Sequence, residues 1–327
     1  MYEFSHMKQA IQQISEPVKT AIEQFKTAYQ AALQSDNALI QQMVDHVNQS
    51  SGKQMRPLLV LLCAQLYGGI TPATLHAAAS IELLHVASLI HDDVIDESNL
   101  RRGEPSLLAK FKSKTAVLGG DFFLSASLSE AALTGHIDIV STISDMGKAL
   151  VKGELLQLSG SKDAIYNQNY YFGVIKAKTA ALFCTCAKLG ALSTLKELDD
   201  KAQRLIEMSE NLGICFQLKD DVFDYQEGGH IGKPVGNDIQ EGKMTLPLLY
   251  VYENATASEK EEILQAFNSK DIAYIQQLVV EKGGMQYTQQ QISHYKEKAL
   301  QCLQDFEDTP TRKAIEQFIV LVADRQK

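Results

Sequence analysis

The hydrophobic positions of this chain recur at three- and four-residue steps, the spacing that places side chains on one face of an α-helix. Ile81, Leu84 and Ser88 follow this spacing, and a similar pattern begins at Leu205. The alternation of apolar and polar residues that marks a strand is nearly absent. We therefore predict an all-α fold of about ten or more helices, with residues 1–327 in a single domain.

Two segments rich in turn-forming residues interrupt the helical pattern. Residues 98–106, SNLRRGEPS, carry paired arginines, whereas residues 226–243 hold five glycines, a proline and two lysines. Prolines such as Pro72 and Pro105 lie where helices are expected to begin or end. The second segment is long enough to predict a mobile loop.

The C-terminal third of the chain, residues 255–327, has the pattern of amphipathic helices. The clearest predicted helices cover residues 258–267 and 311–324. No residue of this third stands out by its type or spacing, so no functional site is predicted there.

Composition narrows the class of protein without naming a function. With 45% apolar and 22% charged residues, the chain is typical of a globular protein. Its formal net charge of −9 argues against nucleic-acid binding driven by phosphate contacts. Residues 1–30 lack the features of a signal peptide, which favours a cytoplasmic location. No apolar run approaches the length of a bilayer span, so at most transient membrane contact is expected. The five cysteines lack zinc-ligand spacing and are interpreted as reduced core thiols.

Two aspartate clusters with the same internal spacing are the strongest chemical signal in the sequence. Their members are Asp92, Asp93 and Asp96 in one cluster and Asp220, Asp221 and Asp224 in the other. In each, the first and last carboxylates share a helix face one turn apart, where unpaired like charges would weaken the helix. A solvated acidic face or a calcium site are the alternatives. Apolar neighbours argue against the first, and the missing Gly-punctuated acids argue against the second. Mg²⁺ bridging carboxylates to phosphates fits best.

Basic and polar residues near these clusters extend the prediction to anion binding. Lys53 and Arg56 precede a predicted helix, where side-chain charge and backbone N–H groups can both meet an anion. His85 lies seven residues before Asp92, two turns along the same face. The further candidates are Arg101, Arg102, Lys178, Thr179, Gln217 and Lys233. Each of these alone would be interpreted as a surface or core residue. Together they predict one diphosphate held through magnesium and a second held directly.

In combination, the motifs resemble those of the trans-polyprenyl diphosphate synthase family, and its long-chain members (hexaprenyl to nonaprenyl) in particular. The matching stretches are Gly52-Lys53-x-x-Arg56-Pro57, Leu89-Ile90-His91-Asp92-Asp93-x-x-Asp96, Arg101-Arg102-Gly103, Lys178-Thr179, Gln217-x-x-Asp220-Asp221-x-x-Asp224 and Gly232-Lys233 with Gly236-x-Asp238. Ser51 replaces a usual glycine, and Gln54 stands where a basic residue is common. The resemblance implies the isoprenoid synthase fold, a single large helical bundle around a central cavity.

The resemblance also implies a role for each matching residue. Asp92 and Asp96, with Asp93 in support, would bind Mg²⁺ on an allylic diphosphate, and Asp220, with Asp221 and Asp224, would hold another Mg²⁺ opposite. Arg101, Lys178, Thr179, Gln217 and Lys233 would contact that allylic diphosphate. Lys53, Arg56, His85 and Arg102 would hold isopentenyl diphosphate without metal. Lys178 and the six aspartates would thus carry the catalysis, with three Mg²⁺ ions present once substrate is bound.

The reaction implied is a head-to-tail condensation. Ionisation of the allylic C–O bond gives a cation, the isopentenyl double bond attacks it, and a proton then leaves to the released diphosphate. Water must be excluded, and residues 226–243 are the expected lid. The partners implied are the two diphosphates, with farnesyl or geranylgeranyl diphosphate as primer, and a second copy of the chain in a homodimer.

Product length is predicted from two small residues. Short-chain relatives carry a bulky aromatic residue four or five positions before the first aspartate, and here those positions are Ser88 and Ala87. An open tunnel and a long all-trans product, suited to a quinone side chain, follow from the resemblance. Its floor is expected near Ile81, or against Phe122 or Phe123.

Two other functions remain open from the sequence. A class I terpene cyclase also uses an aspartate-rich magnesium site on an α fold, but it needs no second diphosphate site. The chain is alternatively one subunit of a heteromeric synthase and inactive alone, although a non-catalytic subunit would be expected to lose an aspartate cluster and both are intact.

Overall fold

The computed structural model describes residues 2–49, 52–162, 165–194, 197–226 and 236–325, leaving aside the side chains of residues 2–6 and 160–162. The α-helices are α1 (Tyr2–Ser15), α2 (Lys19–Ala32), α3 (Ala38–Gln49), α4 (Met55–Tyr67), α5 (Pro72–Ile95), α6 (Leu107–Leu133), α7 (Ile137–Lys162), α8 (Gln168–Ile175), α9 (Ala181–Leu192), α10 (Asp200–Asp224), α11 (Asn237–Gln240), α12 (Leu246–Asn254), α13 (Ala257–Asn268), α14 (Ile272–Glu281), α15 (Gly284–Gln301) and α16 (Pro310–Asp324). A short 3₁₀ helix covers Glu16–Val18, and a π-helix covers Lys176–Ala180. The all-α prediction is confirmed, and α13 and α16 confirm the helices expected at residues 258–267 and 311–324.

A two-stranded hairpin replaces the loop expected at residues 98–106. Strand β1 (Leu100–Arg101) pairs antiparallel with β2 (Glu104–Pro105). The two linking residues, Arg102 and Gly103, have φ values of 55° and 83°, the positive angles that a type I′ turn requires. The tight turn therefore fixes where both arginines point. Pro105 lies in β2, two residues before α6 begins, which agrees with the expectation that it lies where a helix begins or ends.

Helix α5 runs through the middle of the bundle and ends at the first aspartate cluster. Thr71 caps its N-terminus in a reciprocal arrangement with Thr74, and Pro72 occupies the first turn as predicted. The last helical bond runs from the Asp96 N–H to the Asp92 carbonyl at 2.8 Å. The cluster therefore lies in the final turn of a long buried helix, and the packing of that helix fixes the position of the cluster.

Buried apolar side chains form two clusters, and α10 contributes to both. Leu205 and Leu212 pack in the larger cluster with residues of α4, α5 and α9. Ile214 and Leu218, farther along α10, pack in the second with residues of α12, α14 and α15. Because α10 joins the two clusters and carries the second aspartate motif, it places that motif where they meet. The single-domain assignment stays a prediction.

Two helices, α5 and α6, are long and apolar enough to cross a membrane by length and composition alone. The sequence expectation that no apolar run reaches that length is therefore wrong for these helices. The most apolar stretch of α5 is 67% buried within the bundle, and that of α6 is 44% buried. The backbone of α6 also leaves helical geometry at Lys112, where φ is 71°. Packing against the other helices accounts for the apolar character of α5.

Candidate active site

A cavity of about 460 Å³ lies between the C-terminal ends of α5 and α10. Its lining comprises Arg56, His85, Ser88, Leu89, Asp92, Arg101, Arg102, Leu150, Lys178, Thr179, Leu182, Phe216, Gln217, Asp220, Asp224, Asn237 and Asp238. The cavity thus brings together one or more residues of each predicted group: both aspartate clusters, the paired arginines, His85, and Lys178 with Thr179. Its volume lies within the range of small-molecule sites. Lys233 lies outside the described residues.

The carboxylates of the first cluster point in different directions. Asp92 faces the cavity, where burial raises its pKa and Lys178, 3.9 Å away, opposes that effect. Asp93 is buried and turned away, because its Oδ1 accepts hydrogen bonds from the Arg101 guanidinium, from Nε at 2.9 Å and from Nη2. Asp96 is exposed at the helix end. Asp92 and Asp96 therefore remain accessible to a cation, and Asp93 orients Arg101.

The carboxylates of the second cluster also point in different directions. Asp221 is buried, and accepts hydrogen bonds from the Tyr171 hydroxyl and from the Gln217 amide at 3.0 Å. Burial raises its pKa to about 7, although both hydrogen bonds act to lower it. The Asp224 carboxylate accepts hydrogen bonds from the backbone N–H groups of residues 237 and 238, at 2.9 and 3.0 Å. The Oδ1 atom of Asp220 lies 2.6 Å from a guanidinium nitrogen of Arg325.

A π-helix presents Lys178 and Thr179 to the cavity together. It continues α8 into α9 over residues 176–180, and such wide turns often occur at functional sites. The Lys178 ammonium pairs closely with Glu154 of α7. The Thr179 hydroxyl donates to the Gln217 side chain at 2.7 Å. The wide turn therefore directs two consecutive side chains to different helices around the same space.

Two of the predicted cations, Arg56 and Arg102, lie near a buried carboxylate. Glu82 lies on α5, one turn before His85, and is 6% exposed. Burial raises its pKa, while Arg56 and Arg102 act against that rise. A side chain larger than hydrogen at Gly52 would lie 2.6 Å from Arg102 Nη2, so this glycine leaves the space that the guanidinium fills. Arg102 thus lies between a counter-charge and a small residue.

His85 is neutral at physiological pH in this setting. Burial lowers its pKa well below the ordinary value, and Arg56, Arg102 and Arg101 repel a proton further. A neutral imidazole still offers one N–H to an anion. Lys53 does not line the cavity: it lies in an adjacent groove, where burial and Arg325 lower its pKa.

The apolar end of the cavity lies between α5, α7 and α9. Ser88, Leu150 and Leu182 line it, and Ala87 is buried beside Ser88. One turn beyond these leucines, the Thr185 hydroxyl lies 3.2 Å from the sulfur of Met146. Ile81 and Phe123, two of the predicted floor residues, are fully buried in the core, and Phe122 packs against it.

Sequence reasoning missed several residues of the site. Glu82 and Glu154 carried no motif of their own, and Tyr171 is one of twelve tyrosines. Arg325, which contacts Asp220, lies in the C-terminal third, where no site was predicted. Asp238 was quoted only as part of a loop motif. Spacing along α5 could have found Glu82, because it shares a helix face with His85.

The oxygen donors at the cavity suit Mg²⁺. Asp92, Asp96 and Asp220 offer hard carboxylate ligands, and Mg²⁺ in phosphate sites takes one or two of these and completes its shell with water and phosphate oxygens. Within the described residues, no three acidic, histidine or cysteine side chains converge on one point. The donor set therefore fits an ion that a substrate helps to hold.

Comparison with known proteins agrees with this chemistry. The profile of the polyprenyl synthetase family matches residues 37–281. Octaprenyl diphosphate synthase of Escherichia coli is 34% identical over 86% of this chain and 89% of its own length. The crystal structure of polyprenyl synthase from Caulobacter crescentus, complexed with calcium and isoprenyl diphosphate, superposes with a TM-score of 0.89, at 30% identity over 97% of this chain and 98% of that one.

A third relative differs in the length of its named product. Geranylgeranyl pyrophosphate synthase from Bacteroides thetaiotaomicron has a TM-score of 0.84 and 37% identity, over 97% of this chain and all of that one. The two solved structures share this fold over 97% of the chain, and the names of all three relatives indicate prenyl diphosphate synthesis. The chain therefore belongs to the polyprenyl synthetase family of trans-prenyltransferase enzymes.

Proposed function

We propose that this enzyme condenses isopentenyl diphosphate with an allylic diphosphate and releases a long-chain all-trans polyprenyl diphosphate. The observation that carries the proposal is the division of charge in one cavity. Accessible carboxylates of α5 and α10 suit a metal-bound diphosphate, and Arg56 and Arg102, which line the same cavity beside His85, suit a second diphosphate. A cyclase would have no use for that second, metal-free diphosphate position.

The residues around the allylic diphosphate have distinct tasks. Lys178 lies beside Asp92, so its ammonium can bind the diphosphate oxygens that carry charge as the C–O bond breaks. Arg101 is fixed for the same purpose by Asp93, and Thr179 and Gln217 form one hydrogen-bonded chain that ends at Asp221. Mg²⁺ bound by Asp92, Asp96 and Asp220 would supply further positive charge. We also propose that three Mg²⁺ ions are present once substrate is bound, and that Lys233 contacts the allylic diphosphate.

Isopentenyl diphosphate would lie against Arg56, Arg102 and His85, with Lys53 at the edge of its site. Holding it there places its double bond next to the allylic carbon, and this proximity contributes much of the rate. The proton lost after bond formation goes to an oxygen of the released diphosphate. The apolar walls at Leu150 and Leu182 keep water from the cation.

A long product is supported by the small residues of α5. Ser88 lines the apolar end of the cavity, and buried Ala87 adds no bulk there. A growing chain would pass these residues towards Met146 and Ile81. The name of the octaprenyl relative agrees with a long product, and the geranylgeranyl relative marks the shorter alternative.

The partner that we propose is a second copy of the chain. Helices α6 and α7 expose apolar side chains that a monomer would leave in water, namely Leu118 (65% exposed), Leu128, Leu133, Ile137 (73%), Val151, Leu155 and Leu158. A symmetric dimer would bury such a face against itself. The cytoplasmic location stays a prediction.

One assay with the purified chain tests the reaction and its alternatives. With isopentenyl diphosphate, farnesyl diphosphate and Mg²⁺, we expect elongated prenyl diphosphates; chelator, or omission of isopentenyl diphosphate, should abolish them. Consumption of farnesyl diphosphate alone would instead identify a cyclase. No product from a dimer verified by sedimentation would favour the heteromeric subunit.

Replacing Gly52 with alanine is expected to raise KM for isopentenyl diphosphate about 10- to 100-fold, because loss of one well-aligned hydrogen bond to a charged group costs about 1.5 to 3 kcal/mol. The new methyl group would displace the Arg102 guanidinium, whose flexible end can move without disturbing the fold. Steady-state kinetics with each substrate varied in turn would measure the effect.

Gly173→Ala is the matched control, because a methyl group there meets nothing within 4 Å. The KM for the allylic substrate and the melting temperature should change little in either variant. Equal increases in both KM values for Gly52→Ala would show that Arg102 does not serve one substrate selectively.

A further inference from the structure

Arg325, the residue directly after α16, lies on the second aspartate cluster. Its Nη2 atom donates hydrogen bonds to Asp220 Oδ1 at 2.6 Å and to the Phe216 carbonyl oxygen at 2.8 Å. The guanidinium also lies 4.0 Å from the centroid of the Phe216 ring, and the side chain is 11% exposed. A largely buried cation, 105 residues away in sequence, therefore occupies one oxygen of a carboxylate assigned to Mg²⁺.

Helix α16, from which this side chain extends, is packed into the core. Ile315, Phe318 and Ile319 of that helix are fully buried in the larger apolar cluster. Its last residue, Asp324, forms an ion pair with Lys296 of α15 at 2.9 Å. The position of Arg325 is thus determined by packing of a core helix.

A metal ion and this guanidinium compete for the same group. Mg²⁺ needs a carboxylate oxygen at about 2.1 Å with its lone pair free. With the guanidinium in hydrogen-bond contact, the two cations would lie a few ångströms apart in a partly buried site, where repulsion is weakly screened. Binding of the metal ion at Asp220 therefore disfavours the contact with the guanidinium, and the reverse also holds.

Two features of the surroundings disfavour the guanidinium at this position beside Asp220. Its Nε atom is buried and has no hydrogen-bond partner among the described residues. Its charge also adds to burial in lowering the pKa of both Lys53 and Lys219, which means that these cations repel it. An incompletely satisfied and repelled cation is suited to leave when a stronger competitor arrives.

We propose that Arg325 is a positioning residue that neutralises Asp220 in the substrate-free enzyme and is displaced when a metal–diphosphate complex occupies the second cluster. The inference rests on the proposed function in taking Asp220 as a metal ligand. By linkage, the pairing lowers metal affinity by the same factor by which bound metal weakens the Arg325 contact.

Metal affinity measured without turnover tests the proposal. Electron paramagnetic resonance of free Mn²⁺, titrated in the presence of inorganic diphosphate, reports binding to the wild type, Arg325→Gln and Arg325→Lys. We expect Arg325→Gln to bind Mn²⁺ about 10-fold tighter, a typical coupling between two sites. Arg325→Lys keeps the charge but not the planar stacking, so about 3-fold is expected. Lys313→Gln, at an exposed position of the same helix, should match the wild type.

The double variant Asp220→Asn, Arg325→Gln makes the test specific. It should bind Mn²⁺ no more tightly than Asp220→Asn alone, because the competition acts through that carboxylate. Unchanged or weaker binding by Arg325→Gln would overturn the inference, and so would equal tightening in both backgrounds. Failure of prenyl elongation by the wild type would count against the proposed function alone.

Discussion

Asp92→Asn is expected to lower kcat for prenyl transfer by about 1000-fold, the scale seen when a group that stabilises transition-state charge is lost. The amide keeps the shape of the side chain but cannot supply a negative ligand to Mg²⁺. It would also remove the charge that Lys178 faces at 3.9 Å. Lys178 would then pair with Glu154 alone and be drawn from the diphosphate. Single-turnover rates with both substrates bound would separate this loss of chemistry from weaker binding.

Asp145→Asn provides the comparison, since Asp145 is an exposed residue of α7 whose carboxylate pairs with neighbouring Lys148 at 3.0 Å. Its kcat should stay within about 2-fold of the wild type, as is usual for a surface substitution. A loss of less than about 10-fold for Asp92→Asn would contradict the assignment of this carboxylate to the metal.

Ser88→Phe is expected to convert the enzyme from a long-chain to a short-chain synthase. Ser88 lines the apolar end of the cavity one turn from Asp92, so an aromatic ring there would block the path between Leu150 and Leu182. Ala87→Phe should act similarly, but it must also enlarge a buried position, at a cost of about 1 to 3 kcal/mol in stability. Product analysis by chromatography after dephosphorylation would measure the change.

The same substitution at an exposed serine shows whether bulk or position matters. Ser258→Phe, at the start of α13, should leave the product distribution unchanged. The rate of the first condensation should survive in Ser88→Phe, because the diphosphate sites are untouched. An unaltered chain length in both Ser88→Phe and Ala87→Phe would mean that the product leaves by another route.

The sequence predicted the cavity residues well where chemistry and spacing coincide. Asp92 and Asp220 repeat one spacing on two helices, and a bundle with α5 and α10 at its centre places both at one end. The turn at Arg102 and Gly103 was recognisable, although its strands were too short to be predicted. Residues joined only by tertiary packing were not predictable. Arg325 reaches Asp220 from the end of α16, and no local pattern connects those positions.

Side-chain direction was the other feature that spacing could not supply. All six aspartates were assigned to one chemistry, yet the structure directs Asp93, Asp221 and Asp224 to internal partners. Which carboxylate remains accessible depends on donors from elsewhere, such as the Tyr171 hydroxyl and the amides that begin α11. A repeated motif therefore identified the site, but the competition for each carboxylate was decided by the fold.

The wide turn between α8 and α9 sets the rotational phase of two helices. Each residue of an α-helix advances the side-chain direction by about 100°. The π-helix at Lys176–Ala180 adds a residue to one turn, so the side chains after it are offset relative to those before it. Tyr171, before the turn, meets Asp221, and Thr179, within it, meets Gln217 one turn earlier on α10. The inserted residue therefore allows side chains of α8 and of the π-helix to contact the same neighbouring helix, α10.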